Sequence, residues 1–128
     1  MPSTSSLAVR LVLAALALLA FHATPARAAE CDRACLAGLM TQYIDALVAH
    51  DPSRLPLAET VRFTEDSRVL PLGEGVWKTV TAKGDFRHDY LDVRKQVAAA
   101  HVKLFENEIP VLYSVLLHVD DGRIAGIE

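Results

Sequence analysis

Cys31 and Cys35 are the only two cysteines of the chain and stand close together in the stretch AECDRACL. Cysteines at short spacing serve metal ligation, dithiol exchange or a structural disulfide. A zinc site needs two further ligands, and no downstream histidine lies at close ligand spacing to this pair. A thioredoxin-like redox site uses a two-residue spacer, and here Asp32, Arg33 and Ala34 intervene. The pair is therefore read as a disulfide of the kind found in oxidising compartments, with a bond to another chain as the alternative. The loop it closes is tiny, so its task is to pin the start of the next element.

The second group that could do chemistry is FRHDYLDV. In a strand alternate residues share a face, which places Phe86, His88 and Tyr90 together and Arg87, Asp89 and Leu91 opposite. With the first face turned into an apolar cavity, His88 would act as a base and Tyr90 as a hydrogen-bond donor to developing negative charge. A register slip of one residue would put Asp89 in place of His88. On a solvent face the same residues would only keep the sheet soluble. His101 follows a run of alanines that would leave room for a ligand, or it too is exposed. His50 is read as a favourable charge near a helix C-terminus, and His118 as a surface residue beside a turn. Asp120 and Asp121 lack the ordered ligand spacing of a calcium loop. Ser114 lacks the Gly-x-Ser-x-Gly context of a hydrolase nucleophile. Gly73 and Gly75 are not followed by the Lys-Ser or Lys-Thr of a phosphate loop. No metal or cofactor is expected.

The elements that position these residues can be read from periodicity. Residues 32–50 repeat apolar side chains at three and four, from Cys35 and Leu36 through Leu39, Met40, Tyr43 and Ile44 to Leu47 and Val48, which predicts a helix ending before Pro52. TVRFTED alternates as a half-buried strand, and EDSR turns it into a short partner, VLPL. GEGVWKTVTAKG reads as a loop with a helical turn over Val76 to Thr79, with Trp77 plugging one end of a core. FRHDYLDV, QVAAAHVKLFE, VLYSVLLHV and IAGIE read as successive strands, the last two joined by the turn DDGR. The expected fold class is α+β, an N-terminal helix on a strongly curved antiparallel sheet, its last strand short.

The first 28 residues carry Arg10 ahead of an apolar run from Leu11 to Phe21 and end in Ala26-Arg27-Ala28. The run is short for a membrane span and the small residues suit a signal peptidase, so residues 1–28 are read as a secretory signal and 29–128 as one domain. The expected location is secreted or periplasmic, without stable membrane association after cleavage. Losing Arg10 and Arg27 takes the 13 basic residues to 11 against 16 acidic ones, a formal charge of −5. Such a chain is a poor partner for nucleic acid.

The leading helix, DPSRLPLAETVRFTED, the glycine-bounded GEGVW and the long strands ending in DDGRIAGIE resemble the nuclear transport factor 2-like superfamily, its SnoaL-like group in particular. CDRACL, ALVAHDPSRLPLA, VRFTE and LGEGVW further resemble a group of secreted bacterial and fungal domains without an assigned reaction. The resemblance implies a cone-like α+β barrel with a pocket at its open end. Tyr43, Trp77, Phe86, His101 and Tyr113 are the residues expected to line that pocket, although Tyr43 and Trp77 also suit a plain core. The expected function is a module that binds a small apolar ligand or forms a homodimer through its sheet. The alternatives are a cofactor-free isomerase, dehydratase or cyclase using His88 and Tyr90, and a truncated fragment without activity.

Overall fold

The computed structural model describes residues 30–128, so the signal sequence expected at residues 1–28 lies outside the described residues. In chain order the elements are α1 (Arg33–Val48), a 3-10 turn (Pro52–Arg54), β1 (Leu57–Glu65), β2 (Arg68–Val69), α2 (Val76–Thr79), β3 (Val80–Asp92), β4 (Val97–Glu106), β5 (Ile109–Asp120) and β6 (Arg123–Ile127). The fold is α+β, with α1 packed on one face of a six-stranded mixed sheet. No helix among the described residues is long and apolar enough to cross a membrane.

Asp32 starts α1 because its extended backbone lets the carboxylate accept the Cys35 N–H at 2.8 Å, satisfying a donor the helix itself leaves orphaned. The Cys31–Cys35 disulfide, with Cα atoms 5.2 Å apart, closes over the same turn. Gln96 fastens this end to the sheet: its side-chain oxygen accepts the Cys31 N–H at 2.8 Å, and its amide donates to the Cys31 carbonyl at 2.9 Å. The stripe Leu36, Leu39, Met40, Tyr43, Ile44 and Leu47 is buried, as its spacing predicts. Past the helix end His50 turns left-handed at φ 57°, and its ring bonds the Trp77 carbonyl.

The strand order is β2-β1-β6-β5-β4-β3. Strands β3 to β6 form a meander of antiparallel hairpins. The expected all-antiparallel sheet is corrected in one pair, because β1 runs parallel to β6. Tight turns force successive strands to alternate direction. β1 and β6 are linked only through everything between them, so hairpin chemistry leaves their relative direction open. The sheet is also open: β2 and β3 are its two edges and do not pair, so no closed barrel forms. Two boundaries differ from expectation as well. β2 covers Arg68–Val69 instead of VLPL, since Pro71 has no N–H to give a ladder. β3 begins at Val80 rather than Phe86, and its register shifts between Lys83 and Arg87.

The alternation along β4 decides which face is core. Ala98, Ala100, Val102 and Leu104 are buried toward α1, and on β5 Val115, Leu117 and Val119 join them. The two alanines are short enough for the helix to approach the sheet closely. Odd residues of β4 and even residues of β5 therefore point to the opposite face, which no element among the described residues covers.

Candidate functional site

The end of β1, the short helix α2 and the middle of β5 enclose a cleft of about 390 Å³. Tyr113 enters it from the core side of β5, between the apolar walls Val76 and Val111. Its hydroxyl meets that of Tyr43 on α1 at 2.9 Å. Behind them Trp77 stands edge-on to Tyr43, ring centroids 5.6 Å apart. Burial pushes both phenols up, Tyr43 well above the usual range and Tyr113 to about 12, so both are neutral donors at physiological pH. The Trp77 indole nitrogen is the one buried side-chain polar atom among the described residues that lacks a hydrogen-bond partner.

Acidic groups dominate the rim. Glu65, Asp66, Glu106 and Glu128 all line the cleft, and among the described residues no Lys or Arg does. Glu65 is fixed in place, because its carboxylate accepts the Val76 N–H at 2.9 Å at the start of α2. Gly75, at φ 62°, makes that approach possible, since a Cβ there would collide with the Glu65 carboxylate. Glu106 accepts from the Thr79 hydroxyl. Such a rim repels anions and favours neutral or cationic groups.

A second cluster occupies the uncovered face of the sheet. His88 on β3 and His101 on β4 are direct cross-strand partners, and Tyr90 faces Ala99 one step along. The Tyr90 ring packs against both imidazoles, with centroids 4.7 Å from His88 and 5.5 Å from His101. His101 Nδ1 lies 2.8 Å from Ser114 Oγ on β5. A shallow groove of about 240 Å³ runs over Tyr90, His101 and Ser114.

The residues expected to share one pocket are thus divided among four places. Tyr43 and Trp77 are sealed in the core, 0% and 1% exposed, and of the five only Tyr113 lines the cleft. Phe86 lines a separate groove with Leu112 and Lys103, and His101 lies on the uncovered face. The alternation expected for β3 is present, but its faces are reversed relative to the helix. Arg87 and Asp89 form an ion pair at 2.7 Å on the helix side, where Arg87 also reaches Thr41 on α1 at 3.0 Å. β3 is an edge strand, so charges on its inner face stay partly hydrated and find partners on the helix. His88 and Tyr90 consequently face solvent, Tyr90 being 52% exposed, and neither enters the cleft. Sequence reasoning missed Thr64, Glu65 and Glu106, which sit at strand ends where period-two patterns stop and only the three-dimensional path of the chain joins them. Compared with known proteins, the chain matches no family model, and no curated protein matches its sequence.

Proposed function

We propose that this protein is a non-catalytic binding domain that holds a small amphipathic molecule in the cleft between β1 and β5, its apolar body against Val76, Val111 and Tyr113. The observation that carries this reading is the Tyr43–Tyr113 hydroxyl pair on a cleft rimmed by four carboxylates. Tyr113, a neutral phenol backed by Tyr43, offers a hydrogen bond from the cleft wall, and the acidic rim selects a hydroxyl or amine head over a carboxylate or phosphate. This sharpens the small apolar ligand expected from the resemblance into a neutral or cationic amphiphile. One long helix on an open mixed sheet is compatible with an opened form of the nuclear transport factor 2-like cone, and that membership is part of the proposal. Isomerase or dehydratase chemistry through His88 and Tyr90 has less support, because both side chains lie on the side of the sheet away from the cleft interior. Secretion through a cleaved leader likewise remains part of the proposed reading.

Trp77 is the single tryptophan and touches Tyr43, so its fluorescence reports on the cleft wall. Thermal unfolding and Trp77 emission should be followed with matched apolar amines, alcohols and carboxylates. The expected result is a rise in Tm with the amine or alcohol series, since a ligand that binds only the folded state stabilises it. The rise should be lost in Tyr113→Phe and weakened for amines in Glu65→Gln. Equal shifts with carboxylates, or no shift with any series, would sink the proposal.

A further inference from the structure

We propose that His88 and His101 together form a surface site for a divalent transition-metal ion, with copper(II) as its tightest occupant. The two residues stand thirteen positions apart in sequence, yet the β3–β4 register sets them directly opposite each other on the uncovered face. Directly opposed residues of an antiparallel pair hold their Cβ atoms about 4.5–5.5 Å apart. That spacing lets two imidazoles converge on one ion at metal–nitrogen distances of about 2.0–2.1 Å. Neither ring is locked away, since His88 is exposed and His101 half-buried.

The surroundings favour ligation over mere proximity. Ser114 Oγ lies 2.8 Å from His101 Nδ1; with the proton on Nδ1 the hydroxyl oxygen accepts it and the Nε2 lone pair is left for the ion, as hydrogen-bonded supports do at metal sites. Tyr90 packs on both rings and restrains them on the one face they share. Lys103, two residues along β4 from His101, is paired with Asp85 at 3.0 Å. Among the described residues no three or more His, Cys, Asp or Glu side chains converge, so the ion would have two protein donors and keep water on its remaining positions. Imidazole donors with open positions suit copper, nickel and zinc, and among these copper(II) binds most tightly.

The test uses the untagged full-length chain titrated with copper(II) chloride, read by calorimetry and by electron paramagnetic resonance. The expected result is one copper per chain with hyperfine structure from two imidazole nitrogens. His88→Ala and His101→Ala should each weaken binding at least tenfold, and Ser114→Ala by about tenfold. His118→Ala should bind as the unsubstituted chain does, because His118 lies elsewhere on the face and pairs with Glu128. Unchanged affinity in His88→Ala, or an equal loss in His118→Ala, would overturn the site. His88 is exposed, so its alanine variant tests the proposal even if His101→Ala does not fold, and circular dichroism verifies that it does.

Discussion

At the scale of single residues, Tyr43 and Tyr113 satisfy each other where helix meets sheet, and this makes them both structural and responsive to pH. Tyr43 is fully buried and its hydroxyl has one hydrogen-bonding partner of its own kind, Tyr113. Removing that partner in Tyr113→Phe strands a buried hydroxyl and should cost about 1–3 kcal/mol at neutral pH. The same pair sets an alkaline limit. Burial pushes Tyr113 up to about 12 in the fold, whereas a tyrosine in the unfolded chain ionises near pH 10. Between these values the unfolded chain has given up a proton that the folded chain keeps. Stability from this group is therefore complete below about pH 10 and is lost as the pH rises toward 12, by on the order of 2 kcal/mol. Urea unfolding of the wild-type protein and Tyr113→Phe across pH 8–12 should show curves that converge as the pH rises. Parallel curves would mean that the Tyr113 hydroxyl is as hydrated in the fold as in the unfolded chain.

At the scale of elements, the two-residue hairpin turns decide register. Asp66-Ser67, Asn107-Glu108 and Asp121-Gly122 all carry positive φ at both central residues, the backbone that matches strand twist. Only the last has glycine where the left-handed region is most demanding. Glu108 sits at φ 70° with a full side chain, strained by about 1 kcal/mol. Glu108→Gly relieves that strain and gives back part of it as unfolded-chain entropy, so a net gain of about 0.5 kcal/mol is expected from thermal unfolding. A loss would mean that the Glu108 side chain makes a compensating contact. The turns also explain what could be read along the chain. EDSR, ENEIPV and DDGR announce three of the sheet's connections by composition, and the apolar stripe from Leu36 to Leu47 announces α1 without ambiguity. The Cys31–Cys35 pair was legible for the same reason, being a local feature. What could not be read is whatever depends on distant strands. The parallel pairing of β1 with β6 has no turn to encode it. The face of β3 that meets α1 depends on Arg87 finding Thr41 across forty-six residues, which no alternation pattern records. The cleft fails to appear for a related reason, since Glu65, Glu106 and Tyr113 come from three strands and share no motif.

At the scale of the whole molecule, the six strands are unequally secured, and this predicts where the fold opens first. β4 and β5 pair without interruption from Val97–His118 to Glu106–Ile109, and their inner faces carry Ala98, Ala100, Val102, Leu104, Val115 and Leu117, all buried. α1 covers β3 and β4 and is tied to the β3–β4 turn through Gln96. At the other side β1 meets β6 through a broken register between Leu57 and Arg62, and beyond it β2 adds only two exposed residues. Few buried side chains anchor that edge, Phe63 and Thr64 being the main ones. Local opening follows the distribution of buried contacts and paired backbone rather than the average stability. Native-state hydrogen exchange should therefore find the β4 and β5 amides opening only with global unfolding. The β1 and β2 amides should exchange through a smaller, separate opening that carries the Glu65 rim away from the cleft. A ligand seated against Tyr113 and Glu65 would slow exchange in β1 more than in β4, because it bridges the weak edge to the strong centre. Equal protection of β1 and β4 without ligand would show that the parallel pairing holds as firmly as the hairpins, and that the cleft is walled by one rigid sheet.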